Sequence, residues 1–446
     1  GTAWIEGRSL VTTETLNPAL WGTAPPAAAP PVGRPAPAPA RTFTHTRLPL
    51  ITTAAAIAVL PLTEPRGSGN LGPGDVLIVM SICTWVWSSA VSGRRLWFPY
   101  TLAAGLMIVG GALGALAGPV PSAGLLALAQ DLLLLVWCWT VANVGSRPGH
   151  ARVLFRAWAA SSIVWAGVLL TGLLIGASAL TGQVPKTGVR TTLTFGDPNV
   201  AANYFVISIM IVCATGYPRH RWLRVAAYVA LVAALVSTGS NSGLVALAVC
   251  VSVAVILGVR RRVGLVPAIA CLAAIILFAV PVVATTSIRA IQQRASTSSY
   301  AFVREGIGRG EQSVTERTTV LGESTHLYET GGILGAGPVS TKPRLIASMA
   351  PYPKEAHDDY FASLMERGVI GALGLMVLLA SVLVRGGTLL RRDVSAGVGS
   401  ALSRPHAVVA ALIGTMITMT VFELLHVRHV WTLFALVAAA SLWERE

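Results

Sequence analysis

Charge is scarce in this chain, and lysine scarcer still. Of its 446 residues only 12% are Asp, Glu, Lys or Arg, about half the share usual in soluble domains, while 54% are hydrophobic. That balance excludes a string of water-soluble domains and leaves a polytopic membrane protein. Lysine occurs only at Lys186, Lys342 and Lys354, so arginine supplies nearly all of the 33 basic residues. The five cysteines (Cys83, Cys138, Cys213, Cys250 and Cys271) all fall within apolar runs, which indicates neither a disulfide framework nor a zinc site. A net charge of +14 would suggest nucleic acid in a soluble protein. In a membrane protein its placement along the chain carries the information instead, and no nucleic-acid partner is expected.

Residues 1–47 contain no spanning run and are rich in Pro and Ala between Ala24 and Ala40, so an extended, disordered cytoplasmic tail is expected there. Ile5-Glu6-Gly7-Arg8 spells a protease site used in engineered fusions, and residues 1–9 read equally as a cloning scar or as natural sequence. Twelve apolar runs follow, at about 48–62, 76–92, 96–117, 124–144, 157–180, 199–215, 223–237, 242–258, 264–286, 359–384, 406–424 and 430–443. The expected fold is therefore all-α, with about 12 transmembrane helices. Several runs fall short of the roughly 20 residues a perpendicular span needs, which implies tilt or polar helix ends. Residues 48–287 would hold nine spans and 359–446 three, with 288–358 forming one large external loop.

Orientation follows from arginine. Alternate connections carry Arg94–Arg95, Arg147–Arg156, Arg219–Arg224, Arg260–Arg262 and Arg385–Arg404; together with the two chain ends this side receives 20 of the 33 basic residues, against four (Arg66, Lys186, Arg190 and Arg428) in the short loops opposite. Short cytoplasmic loops are the ones enriched in arginine. Both termini are expected in the cytoplasm, and the long loop and the 181–199 hairpin outside.

The external face gathers the chemistry. Ala356 to Gly371 reads A-H-D-D-Y-F-A-S-L-M-E-R-G-V-I-G, placing His357, Asp358, Asp359 and Tyr360 where an apolar helix begins. An imidazole titrates near neutral pH and can accept a proton from a hydroxyl, with a neighbouring carboxylate to orient it. Adjacent aspartates at a helix start diverge by about 100°, so they form no metal site by themselves, and none is expected. In the long loop, Ser313 with Glu316 fits a capping box, and Val320, Leu321, Leu327 and Tyr328 then share one face of a surface helix. Arg317 sits in its first turn, where a guanidinium and helix N–H groups favour an anion. Lys354 adds a cation nearby. In the other external loop, Arg190 breaks the inside bias, and Asp197-Pro198-Asn199 opens the next span as an ordinary helix start. Asp131 lies inside the fourth span, and a carboxylate within the membrane is a functional candidate. Glu423, His426, Arg428 and His429 crowd the last external hairpin and could line the same cavity.

In order and spacing these pieces resemble the O-antigen ligase and polymerase superfamily over roughly 190–371. His357-Asp358, nine residues, then Gly368-Val369-Ile370-Gly371 reproduces the spacing of the ligases' histidine motif. Arg190 with Phe195, Pro198, Asn199 and Ala202 resembles the family's Pro-Asn span opening, and Arg317 followed by Gly335-Ala336-Gly337-Pro338 its arginine-bearing loop. Two departures stand out: Asp358 replaces the usual amide or hydroxyl, and Ser240-Asn241-Ser242-Gly243 replaces a Ser-Arg-Gly turn. The resemblance implies a GT-C-like membrane glycosyltransferase that takes a polyprenyl-diphosphate-linked glycan to an acceptor hydroxyl on a lipid or glycan, without metal or cofactor. Arg190, Arg317 and His357 are then the expected catalytic residues, with Asp358, Asp359, Tyr360, Asn199, Asp131, Lys354 and Arg428 at the substrate. A polysaccharide polymerase and a transporter or flippase for lipid-linked glycans are the rival readings.

Overall fold

The computed structural model describes residues 42–64, 72–93, 95–183, 188–285, 288–299, 332–350, 358–391 and 401–442, with isolated positions between 304 and 328. The N-terminal tail, the 313–328 helix with Arg317, and Lys354 and His357 thus lie wholly or almost wholly outside the described residues. The contacts divide the chain after Thr42, and the helical bundle is the second unit, Phe43–Glu446.

Every apolar run carries a helix. In chain order these are α1 (Thr42–Ala58), α2 (Pro73–Ser92), α3 (Thr101–Ala117), α4 (Pro121–Gly145), α5 (Pro148–Ile175), the single turn α6 (Ser178–Thr181), α7 (Pro198–Thr215), α8 (Arg221–Ser237), α9 (Asn241–Val263) and α10 (Leu265–Thr285). Two short helices, α11 (Ile288–Ser296) and α12 (Thr341–Ala347), precede α13 (Asp359–Arg391), α14 (Pro405–Thr418) and α15 (Arg428–Leu442). No strand occurs among the described residues. Among the described residues six helices are long and apolar enough to cross a membrane, and shorter apolar helices stand among them. Their outward faces keep large apolar side chains exposed, including Leu102, Leu174, Val229, Val266 and Leu277. Water would not tolerate so much exposed apolar surface, whereas lipid tails would. The chain is a multi-pass membrane protein.

Helix starts follow local chemistry. Pro73, Pro121, Pro148, Pro198 and Pro405 occupy first-turn positions, where a missing N–H costs nothing. Asp197 caps α7 by accepting from the Asn199 N–H, and Ser240 caps α9 by accepting from the Gly243 N–H. The Ser240-Asn241-Ser242-Gly243 turn therefore has a structural role that needs no basic residue.

Polar contacts between distant segments pin the up-and-down order at both ends. At one end, Asn143 binds the backbone of Trp97, Arg385 lies over the Trp97 and Tyr100 rings, and Ser403 and Arg404 donate to the Ala214 carbonyl. This is the arginine-rich end. A surface groove bordered by Trp85, Arg95, Asn143 and His150 also opens here. At the other end Thr63 meets Thr194, Asn199 meets Ser240, and Asp359 meets the turn between α14 and α15.

The tightest packing joins α3 to α13, and glycine makes it possible. A Cβ on Gly110 would come within 2.5 Å of the Arg367 carbonyl and 2.6 Å of the Gly371 nitrogen, so the two backbones touch directly, as small residues permit in membrane helix pairs. Gly110→Val should lower the protein's stability by about 1–3 kcal/mol through overpacking. Gly105 on the same helix has open space around its Cβ position, so Gly105→Ala should be neutral or slightly stabilising. Thermal melts of the two variants in detergent check the contrast, and equal behaviour would remove the close contact.

Candidate functional site

Helix α13 is interrupted at Gly368, whose backbone turns to φ 63°, a conformation glycine adopts without the cost a Cβ imposes. The break frees backbone groups that lipid could not satisfy. The Gly335-Ala336-Gly337 segment satisfies them: the Ala336 N–H donates to the Met365 carbonyl, Gly337 N–H to Glu366, and Val369 N–H to the Ile333 carbonyl, all at 2.9–3.0 Å. Gly335 and Gly337 also have positive φ, 78° and 91°. The two glycine motifs seen separately in the sequence are thus two halves of one backbone splice.

Side chains at the break extend the joint. Glu366, buried, accepts from the Val339 N–H at 3.0 Å and from the Thr341 hydroxyl at 2.7 Å, fixing the start of α12 where a carboxylate is favoured. Arg367, 3% exposed, donates through Nη2 to Asp131 Oδ2 on α4 at 2.7 Å. The other Asp131 oxygen lies 3.5 Å from Nδ1 of His426. A carboxylate inside a bundle needs such partners, since burying it alone costs far more than pairing it. Sequence reasoning singled out Asp131 and passed over Glu366 and Arg367. Two adjacent charges inside an apolar run were the available signal.

The entry to α13 is equally constrained. Asp358 Oδ1 accepts from the Tyr360 and Phe361 N–H groups at 2.8 and 3.1 Å, so it caps the helix. Burial raises its carboxyl above the ordinary carboxylate pKa, against the opposing pull of those two donors. Asp359 accepts from the Leu424 and Leu425 N–H groups at 2.6 and 3.2 Å, which docks the α14–α15 turn against the helix start. The Tyr360 hydroxyl donates to the Met416 carbonyl at 3.0 Å. His357, immediately before this cap, lies outside the described residues.

The other predicted residues lie at the same end. Arg190 Nε donates to the Thr238 carbonyl at 3.0 Å, and the neighbouring Thr191 bonds to Ser237 through both backbone and side chain. Asn199 Oδ1 accepts from the Ser240 hydroxyl at 2.7 Å. One turn along α7, Asn203 Oδ1 accepts from His429 Nε2 at 2.9 Å on α15. Arg428 grips Asp75 of α2 with a two-pronged guanidinium. Separate polar pairs therefore gather at this end: Arg190 with Thr238, Asn199 with Ser240, Asn203 with His429, and Asp131 with Arg367 and His426. Arg428 and Asp359 act there as ties between elements. The positions of Arg317, Lys354 and His357 relative to these pairs lie outside the described residues.

Residues 226–376 match the family model described as O-Antigen ligase. The resemblance read from the histidine spacing and the glycine motifs is borne out, and the matched span takes in the α8–α9 turn, the long loop and the break in α13. The O-antigen ligase match supports a membrane glycosyltransferase of the ligase or polymerase kind. No curated protein matches the chain.

Proposed function

We propose that the chain transfers a glycan from a polyprenyl-diphosphate carrier to an acceptor hydroxyl at the external surface of a bacterial inner membrane, in the manner of an O-antigen ligase. Arg190 and Arg317 would clamp the diphosphate and offset the charge that grows on it as the bond to the anomeric carbon breaks, a task that fixed cations perform without a metal. His357 would take the acceptor's proton as its oxygen attacks that carbon in line, inverting it. The carrier's tail stays in the lipid, so donor and acceptor meet within the membrane plane and part of the rate comes from orientation. The observation that supports the reading is the shared end: the turn that seats Arg190 and the cap that follows His357 lie at the same end of the bundle.

The arginine bias supports placing that end outside. Twelve spans and a carboxylate in the membrane suggested a transporter, and the Arg367 and His426 partners of Asp131 account for the second of these. Purified protein given a polyprenyl-diphosphate-linked glycan and an acceptor should release polyprenyl diphosphate; binding without release would leave only a sensor or carrier. Envelope glycans of a deletion strain separate ligase from polymerase. Unattached long chains are expected, and an accumulation of single repeat units would make the protein a polymerase.

A further inference from the structure

The last hairpin holds four polar side chains, and the structure sorts them by what they touch. Arg428 is spent on Asp75, and His429 is fully buried against Asn203. His426 differs, because its side chain remains 41% exposed while Nδ1 faces Asp131 at 3.5 Å. Asp131 is itself fixed from the far side by Arg367. At that distance the contact is an ion pair longer than a hydrogen bond, and it turns the Nδ1 side of the ring toward the carboxylate and Nε2 the other way. Glu423 Oε2 stands 3.9 Å from Nε2, an ion-pair partner too distant for a hydrogen bond. The turn carrying His426 is docked through Leu424 and Leu425 onto Asp359, two residues after His357.

We infer that His426, held by the Arg367–Asp131 pair, is a further substrate-binding residue whose Nε2–H donates a hydrogen bond to a diphosphate oxygen of the lipid-linked donor. This rests on the reading of the chain as a polyprenyl-diphosphate enzyme. Arg367 offsets Asp131 in the interior, and a diphosphate oxygen would take the place beside Nε2 that the Glu423 carboxylate now holds at ion-pair distance. No proton need leave the ring: as the glycosyl–oxygen bond breaks, both electrons go to the diphosphate oxygen and the hydrogen bond shortens.

The groups facing His426 are Asp131 on α4, Arg367 and Asp359 on α13, and Glu423 on its own turn. Partial loss of hydration and Arg367 lower its pKa, but the nearby Asp131 carboxylate, aided by Glu423, outweighs them and brings it up to about 9. The ring is therefore charged at neutral pH and neutral well above pH 9.

Full-length protein in lipid nanodiscs, titrated with farnesyl diphosphate, tests the assignment. Wild type should lose about ten-fold in affinity between pH 7.5 and 10, in line with a hydrogen bond from a charged donor. His426→Gln should bind about ten-fold more weakly at pH 7.5 and show no such pH dependence. His426→Arg should keep the affinity and hold it to pH 10. A His426→Gln protein with wild-type affinity and pH profile, whether or not its melting temperature falls, would overturn the inference and leave the proposed function standing. Wild type that fails to bind farnesyl diphosphate at any pH would remove both.

Discussion

Replacing Arg190 by Ala should cut glycan transfer by about 100-fold or more while leaving a folded protein. Removing one fixed donor to a developing anion typically costs about 2.7–4 kcal/mol of transition-state stabilisation. Arg190 also donates to the Thr238 carbonyl, so some loss of stability is expected, on the order of 1 kcal/mol for a single hydrogen bond. The two effects separate cleanly. Transfer assayed at matched amounts of folded protein reports the first, and a melt reports the second. Arg190→Lys keeps the charge but loses the planar fork, so an intermediate rate is expected. Full activity of Arg190→Ala would take this residue out of the clamp.

The second large effect concerns stability. Asp131→Asn or Arg367→Met alone leaves a buried charge without its partner, and each should cost about 3–5 kcal/mol. Their pairing spans 236 positions of sequence and joins α4 to the break in α13, so loss of either should loosen the joint that sets where α13 begins. The double variant Asp131→Asn with Arg367→Met should be more stable than either single one, since it leaves neither member of the buried pair charged alone and the half-exposed His426 ring can give up its proton. Equilibrium unfolding of the three variants forms the test. Additive losses in the double variant would mean that the two side chains contribute independently.

Much of the architecture was legible in the residues. Each apolar run became a helix because lipid leaves the backbone no other partner than itself, and arginines alternate with the runs because short cytoplasmic loops retain them. Asp197-Pro198-Asn199 read as a helix start and is one. The glycines at 335, 337, 368 and 371 were visible as motifs, but their purpose was not. Nothing local in either segment says that the amides of Ala336 and Gly337 will satisfy the carbonyls of Met365 and Glu366. The same holds for Arg428, expected at the substrate and found gripping Asp75, 353 positions away. Pairings between such distant residues depend on which helices become neighbours, and one sequence carries no periodic signal for that. Glu366 and Arg367 were passed over because their neighbours read as a plain span.

An experimental structure of the protein with a polyprenyl diphosphate bound tests the central claim most directly. The guanidinium groups of Arg190 and Arg317 should both lie about 3 Å from oxygens of one diphosphate, with the His357 imidazole facing the same cavity at the end of the bundle where α13 begins. A diphosphate bound at the arginine-rich end, or held by neither arginine, would contradict the account.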